Sequence, residues 1–351
     1  MGQVDSCTKE YARRHVVFAD LFNYYVYDGR MVIQPENLKE MDTTELTLPN
    51  VAGRSIPAQK YRDVLKQAVI MEDDTVKSLL ILGVENQMYI HYGMPVKTMV
   101  YDAINYASQI DRIAKDNREA GQIKGSAEYL SGLRREDRLI PVITLVLYFG
   151  QEQWDGALNL HDLLEPVPKD VMRYVSDYKI NLISPVMMSD EEIALFRSDF
   201  RELATFIKYG KDKDKMKKLM EENEAYRHMD ALTAEIANEV TGAKLKLEAD
   251  EEGKVDMCVA IMGIREEGVQ EGIQKGILET LHALILELLS EVSKVPAGLE
   301  NRIRTITETG DLKVLHKNAS KAETIEEFVR MSGELLAKTS SNSYNDTEYK
   351  I

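Results

Sequence analysis

The stretch LLILGVENQM, residues 79–88, is apolar or glycine from Leu79 to Val84 and then turns polar, with Glu85 and Gln87 two residues apart. A short apolar run of this kind reads as a buried strand. Side chains alternate along a strand, so Glu85 and Gln87 point the same way, as do Tyr89 and His91 if the strand continues.

The neighbouring stretch supplies a partner for Glu85. PAQKYRDVLKQAVI (57–70) reads as a strand, MEDD (71–74) as the turn out of it, and residues 77–91 as the next strand. Paired as neighbours, the two strands bring Asp63 to face Glu85 at one end of a sheet. Two carboxylates so placed suit a hard cation such as Mg²⁺, which takes oxygen ligands and keeps several waters. Such an ion activates a water and stabilises charge on a phosphoryl oxygen. A plainer reading stays open: in an acidic chain, an acid and an amide at a strand end can simply face solvent.

Residues 8–28 predict one helix with Tyr11, Phe18, Phe22 and Tyr25 on its inner face, Asp20 and Asn23 close to that face, and a stop at Asp28-Gly29. Pro95 opens a helix whose apolar stripe runs Val96, Met99, Val100, Ala103, Ile104, Ala107 and Ile110. Lys97 lies near its start and is placed to reach back toward the sheet end, or else faces solvent. Residues 114–138, charged and glycine-containing, read as a loop carrying scattered Arg and Lys. LIPVITLVLYFG (139–150) is a strand bounded by Pro and Gly, and YKINLIS (178–184) alternates as a further one. Ser189 and Glu192 form a capping box that starts a helix to Tyr209, with Gly210 as its left-handed stop. Helices over 213–241 and 254–292 and shorter ones through 311–337 follow.

The expected organisation is a mixed α/β domain over 1–185, a helical extension over 186–253, a helical region over 254–338 and a disordered tail over 339–351. Within the third segment, REEGVQEGIQKGI places Gly268, Gly272 and Gly276 four residues apart. Each glycine inside a helix costs about 1 kcal/mol relative to alanine. The spacing allows close approach of another helix, which points to self-association, with a solvated repeat as the bland alternative.

Composition narrows the classes. The 351 residues carry a formal net charge of −15, which repels nucleic acid at long range, so any DNA contact needs a local basic surface. Two cysteines, Cys7 and Cys258, without metal-ligand company, fit a reduced cytosol. The longest apolar candidate, LHALILELL at 281–289, falls far short of the roughly 20 residues of a spanning helix, so no membrane role is expected. The N-terminal stretch is mixed and charged, unlike a signal peptide. MGQVDS fits the N-myristoylation pattern, but one acyl chain anchors weakly and the match is common by chance. No glycine-rich phosphate loop, no G-x-S-x-G serine and no histidine pair at zinc spacing is present.

The ordered set Asp63, Glu85-x-Gln87, Met94-Pro95, a helix with Tyr101, then Tyr148-x-Gly150 with Trp154 just after resembles the bacterial recombination-promoting nuclease / putative transposase family of the PD-(D/E)XK nuclease superfamily. The resemblance covers about residues 8–210. It implies a restriction-endonuclease-like core, a mixed sheet flanked by helices, followed by an all-helical C-terminal region. It also implies a cytoplasmic Mg²⁺- or Mn²⁺-dependent endonuclease acting on DNA, with a homo-oligomer through the C-terminal helices as a further partner. Carried over, Asp63 and Glu85 are the metal-binding acids, Asp20 on the first helix is an additional one, and Gln87 takes the position of the superfamily's lysine. Relatives often have arginine at the position of Lys97. An amide can orient water but brings no charge and no basicity. A degenerate module that binds DNA or self-assembles without cutting is therefore the alternative. His91, Tyr101 and Trp154 are expected to pack or sit at the surface.

Overall fold

The structure, a computed structural model, describes residues 2–41, 63–72 and 75–341. Positions 57–62 of the first predicted strand, Asp73 and Asp74 of the MEDD turn, and residues 342–351 of the tail lie outside the described residues. The chain divides into two compact units, Met1–Ile261 and Met262–Ile351.

The first unit is built on a mixed five-stranded sheet in the order β1 (Leu38–Glu40), β2 (Val64–Glu72), β3 (Thr75–Gln87), β4 (Val142–Tyr148) and β5 (Asn181–Ile183). The first two pairings are antiparallel and the last two parallel. Alternation along β3 and β4 divides their side chains between two faces. Val84, Leu145 and Leu147 enter the main core beside Phe18, Phe22, Phe196 and Phe200. Fully burying each of these side chains is worth roughly 1.5–3 kcal/mol. The opposite face carries Leu65 and Ile81 with Ile104, and Val146 and Tyr148 with Met94, Trp154 and Ile180. Tyr148 and Trp154 meet edge to face with ring centroids 5.2 Å apart. The indole N–H donates to the Gly156 carbonyl at 3.0 Å, so Trp154 packs, as expected. Gly150 is required here, since a Cβ on it would lie 2.2 Å from the Tyr148 ring.

The single helix predicted over 8–28 is two, α1 (Gly2–Arg13) and α2 (His15–Tyr27), broken at an extended Arg14. No proline or glycine marks the break; distant partners set it. The Lys66 ammonium of β2, buried against Phe18, donates to the Arg13 carbonyl at 2.5 Å, and Arg14 pairs with Asp230 at 2.7 Å. A cation at a helix C-terminus is favourable for the exposed carbonyls. Asp28, in the left-handed region with φ 51°, and Gly29 end α2 as read.

Two further expectations change. β3 ends at Gln87, so Tyr89 and His91 leave the strand and do not extend its polar face. The helix opened by Pro95 is α3 (Met94–Glu119), twenty-six residues, and it takes in the start of the supposed loop; α4 (Gly125–Ser131) follows. Asn117 holds that region by donating to Gly132 O and Asp137, and a Cβ on Gly132 would sit 2.4 Å from the Ala114 Cβ. The buried face of α3 follows the apolar stripe only in part, with Ile104 buried on it. Val96 and Val100 are exposed, whereas Thr98, Tyr101, Asp102, Asn105 and Gln109 face inward. Polar contacts to the sheet choose that face. Thr144 donates to Asp102 Oδ1 at 2.6 Å, the Tyr178 hydroxyl donates to Oδ2, and the Gln109 amide exchanges hydrogen bonds with the backbone of Ile140.

Helices α5 (Lys169–Met172), α6 (Asp190–Ile193), α7 (Phe200–Tyr209), α8 (Lys213–Glu222) and α9 (Ala231–Thr241), with the short pair β6 (Met229–Asp230) and β7 (Lys254–Val255), complete this unit. Phe200, Leu203, Phe206 and Ile236 share one core with the sheet. The Ser189–Glu192 capping box forms, but its helix α6 lasts four residues before the chain bends into α7. Gly210 ends α7 at φ −56°, not in the left-handed region. Its reason is space, because a Cβ there would lie 2.9 Å from Thr241 Cγ2.

The long helix α10 (Met257–Val292) starts in the first unit and continues into the second, which adds α11 (Ala297–Arg304), α12 (Thr309–Ala319), α13 (Ile325–Met331) and α14 (Gly333–Ser341). This helical unit has its own core around Ile285, Leu289, Ile303, Leu312, Leu315 and Phe328. Among the described residues no helix is long and apolar enough to cross a membrane.

Candidate active site

The register fixes the site. Val64 pairs with Val84 across β2 and β3, so one step further Asp63 stands opposite Glu85. The Asn86 backbone N–H donates to Asp63 Oδ2 at 3.0 Å and locks that step. In the parallel pairing of β3 and β4, Glu85 aligns with Val146 and Gln87 with Tyr148, so all four side chains share the face that Met94 of α3 packs on. Asp63, Glu85 and Gln87 thus meet where β3 ends, as the sequence suggested.

Lys97, in the first turn of α3, joins them, its ammonium 2.6 Å from Glu85 Oε1. A cation in a first helical turn opposes the helix dipole and costs about 0.3–1 kcal/mol. The ion pair with Glu85 offsets that cost. Gln87 Nε2 donates to the same Oε1 at 3.1 Å and to the Asn86 carbonyl at 2.7 Å. Glu85 Oε2 is buried and accepts no hydrogen bond among the described residues. Buried polar atoms almost always find a partner, so an orphaned carboxylate oxygen marks a place for an ion or a water. Burial, and then the negative charge of Asp63, push the Glu85 carboxyl from 4.5 up to about 7, against the pull of Lys97.

Reading the sequence missed one residue. Lys9 of α1 places its ammonium 3.1 Å from Asp63 Oδ1, and also pairs with Asp5. Nothing local signals it, since Lys9 lies on the solvent-tinged side of a helix 54 positions before Asp63 in the numbering.

Asp20 is placed elsewhere. Its Oδ2 accepts the backbone N–H groups of Arg197 and Ser198 at 2.9 and 2.7 Å and the Ser198 hydroxyl at 2.6 Å. It holds the bend between α6 and α7, and the structure does not bring it to Asp63 and Glu85. Among the described residues no group of three or more His, Cys, Asp and Glu side chains is set to hold a metal ion, so the acids of this site are a pair. Asp102, a further buried acid on the same face of the sheet, is committed to Thr144 and Tyr178. Tyr101 is buried with its ring centroid 5.9 Å from the Lys97 ammonium, and His91 is exposed.

No curated protein and no solved structure matches the chain. The segment from the end of β3 into α9 holds Glu85, Gln87 and Lys97 but begins after Asp63 and Lys9. Over that segment, residues 84–236 match the family described as putative transposase, YhgA-like, so this part of the chain is similar to that family.

Proposed function

We propose that the protein is a divalent-metal-dependent DNA endonuclease with a PD-(D/E)XK type of site, and that Asp63 and Glu85 hold the ion. The observation that carries this reading is the buried Glu85 Oε2, without a hydrogen-bond partner among the described residues, beside a second carboxylate. Two acids close enough to raise a pKa repel each other, and a hard cation between them relieves that repulsion with the oxygen donors it prefers. The donor set therefore fits Mg²⁺ or Mn²⁺. When bound, such an ion supplies Lewis acidity and stabilises charge on a phosphoryl oxygen.

The chain's own groups do the rest. Lys97 neutralises and orients Glu85 through Oε1, which leaves Oε2 for the ion. Asn86 N–H fixes Asp63 on the opposite strand. Gln87 commits its amide nitrogen to Glu85 and Asn86, so its Oε1 is the atom that accepts a water O–H and aims the oxygen lone pair. Water then adds to phosphorus and gives up a proton to bulk solvent, one ester P–O bond breaks, and the leaving alkoxide takes up a proton from solvent. Self-association through the C-terminal helices belongs to the same reading. It is supported by Gly272 and Gly276 of α10, whose added Cβ would meet nothing within 4 Å, beside exposed Ile273 and Ile277.

Incubation of supercoiled plasmid with the full chain and Mg²⁺ or Mn²⁺ tests the reading. Metal-dependent nicking that falls to background in Asp63→Ala is expected. A wild type that binds DNA without cutting it, with either ion, would make the protein a non-cutting module, the reading favoured by Gln87 and by the net charge of −15.

A further inference from the structure

Each acid of the pair carries its own lysine, and the two lysines come from different helices. Lys97 of α3 holds Glu85 at 2.6 Å, and Lys9 of α1 reaches Asp63 at 3.1 Å. Gln87, between them on β3, donates hydrogen bonds but brings no charge. We propose that Lys9 is a positioning cation of the phosphodiester site, supplying with Lys97 the positive charge toward the bound phosphate that Gln87 lacks. The inference rests on the endonuclease reading and extends the site onto α1, outside the segment 84–236 that the family model matches.

Charge bookkeeping supports the assignment. Asp5, Asp63 and Glu85 against Lys9 and Lys97 sum to −1, so one divalent ion leaves a surplus of one positive charge to receive an anionic phosphodiester, and without Lys9 that surplus is gone. Lys9 is also held for this place. Its side chain is 35% exposed, and Asp5, one turn earlier on α1, keeps the ammonium beside Asp63 from the other side at 2.5 Å. A surface lysine answering only to the i,i+4 pair with Asp5 has no need of Asp63, the acid just before β2.

The assignment has a signature that a merely structural role lacks. An ammonium and a divalent ion compete for the Asp63 carboxylate, so removing Lys9 helps the ion and harms the handling of phosphate. Mn²⁺ binding to the full chain, counted from the free-ion electron paramagnetic resonance signal, and plasmid nicking at saturating Mn²⁺ are the two readouts. Lys9→Met is expected to bind Mn²⁺ about tenfold more tightly and to nick about 10²-fold more slowly. Lys9→Arg, which keeps the charge, stays near wild type in both, and Lys115→Met on the exposed side of α3 changes neither. Lys9→Gln serves in place of Lys9→Met if circular dichroism shows that variant unfolded.

A wild type that cuts, with a folded Lys9→Met that cuts as fast or binds Mn²⁺ no more tightly, overturns the assignment of Lys9 alone. A wild type that cuts no plasmid ends the endonuclease reading and the phosphate role of Lys9 with it.

Discussion

Glu85→Gln is expected to abolish DNA cleavage and to make the protein more stable at pH 8 but not at pH 4. On the proposed endonuclease reading, cleavage falls by about 10³-fold or more, ~4 kcal/mol of transition-state stabilisation, because the amide brings no negative charge to the ion. The stability gain follows from the carboxyl's environment. Burial and the neighbouring Asp63 raise its pKa from 4.5 to about 7. Below pH 4.5 the folded and unfolded chains both keep the proton, and the group contributes no difference. Between 4.5 and 7 the unfolded chain releases it while the folded chain retains it, so stability falls as the pH rises through that window. Above 7 the full cost is present, on the order of 3–4 kcal/mol at about 1.4 kcal/mol per pKa unit. Glutamine carries no charge and escapes this cost, although Lys97 loses its ionic partner. A net gain of about 1–2 kcal/mol at pH 8 is expected in metal-free urea unfolding. An equal effect at both pH values would show that burial of the Glu85 charge is not its source.

Asp20→Ala is expected to lower stability by about 3–4 kcal/mol and to leave Mn²⁺ affinity unchanged. One carboxylate oxygen accepts three hydrogen bonds, from Arg197 N, Ser198 N and Ser198 Oγ, in a site with Asp20 4% exposed. Hydrogen bonds to a charged acceptor are worth about 1.5–3 kcal/mol each, and the truncation also strands two backbone N–H groups. Asp20→Asn keeps one oxygen and is expected to lose about half as much. The measurement pairs thermal unfolding with Mn²⁺ titration at a temperature where both variants are folded. Weaker Mn²⁺ binding by a folded Asp20→Asn would return Asp20 to the ion site.

Asp20 also shows where the sequence stopped being legible. A helical acid near an aromatic face looks the same whether it serves a metal or a bend 177 positions later, and only the chain's return through Arg197 and Ser198 separates the two. Lys9 is the converse case, an ordinary surface lysine until β2 is laid beside α1. The meeting of Asp63 with Glu85 was legible because it depends on strand alternation and on one antiparallel pairing with a two-residue connection, both local. The break at Arg14 was not, since its cause is a lysine on β2 and an acid on β6. The buried face of α3 misled for a related reason. Hydrophobic periodicity favours Val96 and Val100, but hydrogen bonds to Thr144 and to the backbone at Ile140 turn a polar face inward. Gly210 follows a helix as a left-handed stop would, yet its φ is −56° and its reason is room beside Thr241, which no local pattern signals.

The role of the Asp63–Glu85 pair is tested most directly by anomalous diffraction from crystals soaked in Mn²⁺. One Mn²⁺ peak in contact with Glu85 Oε2 and the Asp63 carboxylate, absent from Glu85→Gln crystals, is the predicted result. Crystals of the wild type with no peak at the pair, or with a peak that persists in Glu85→Gln, would contradict it.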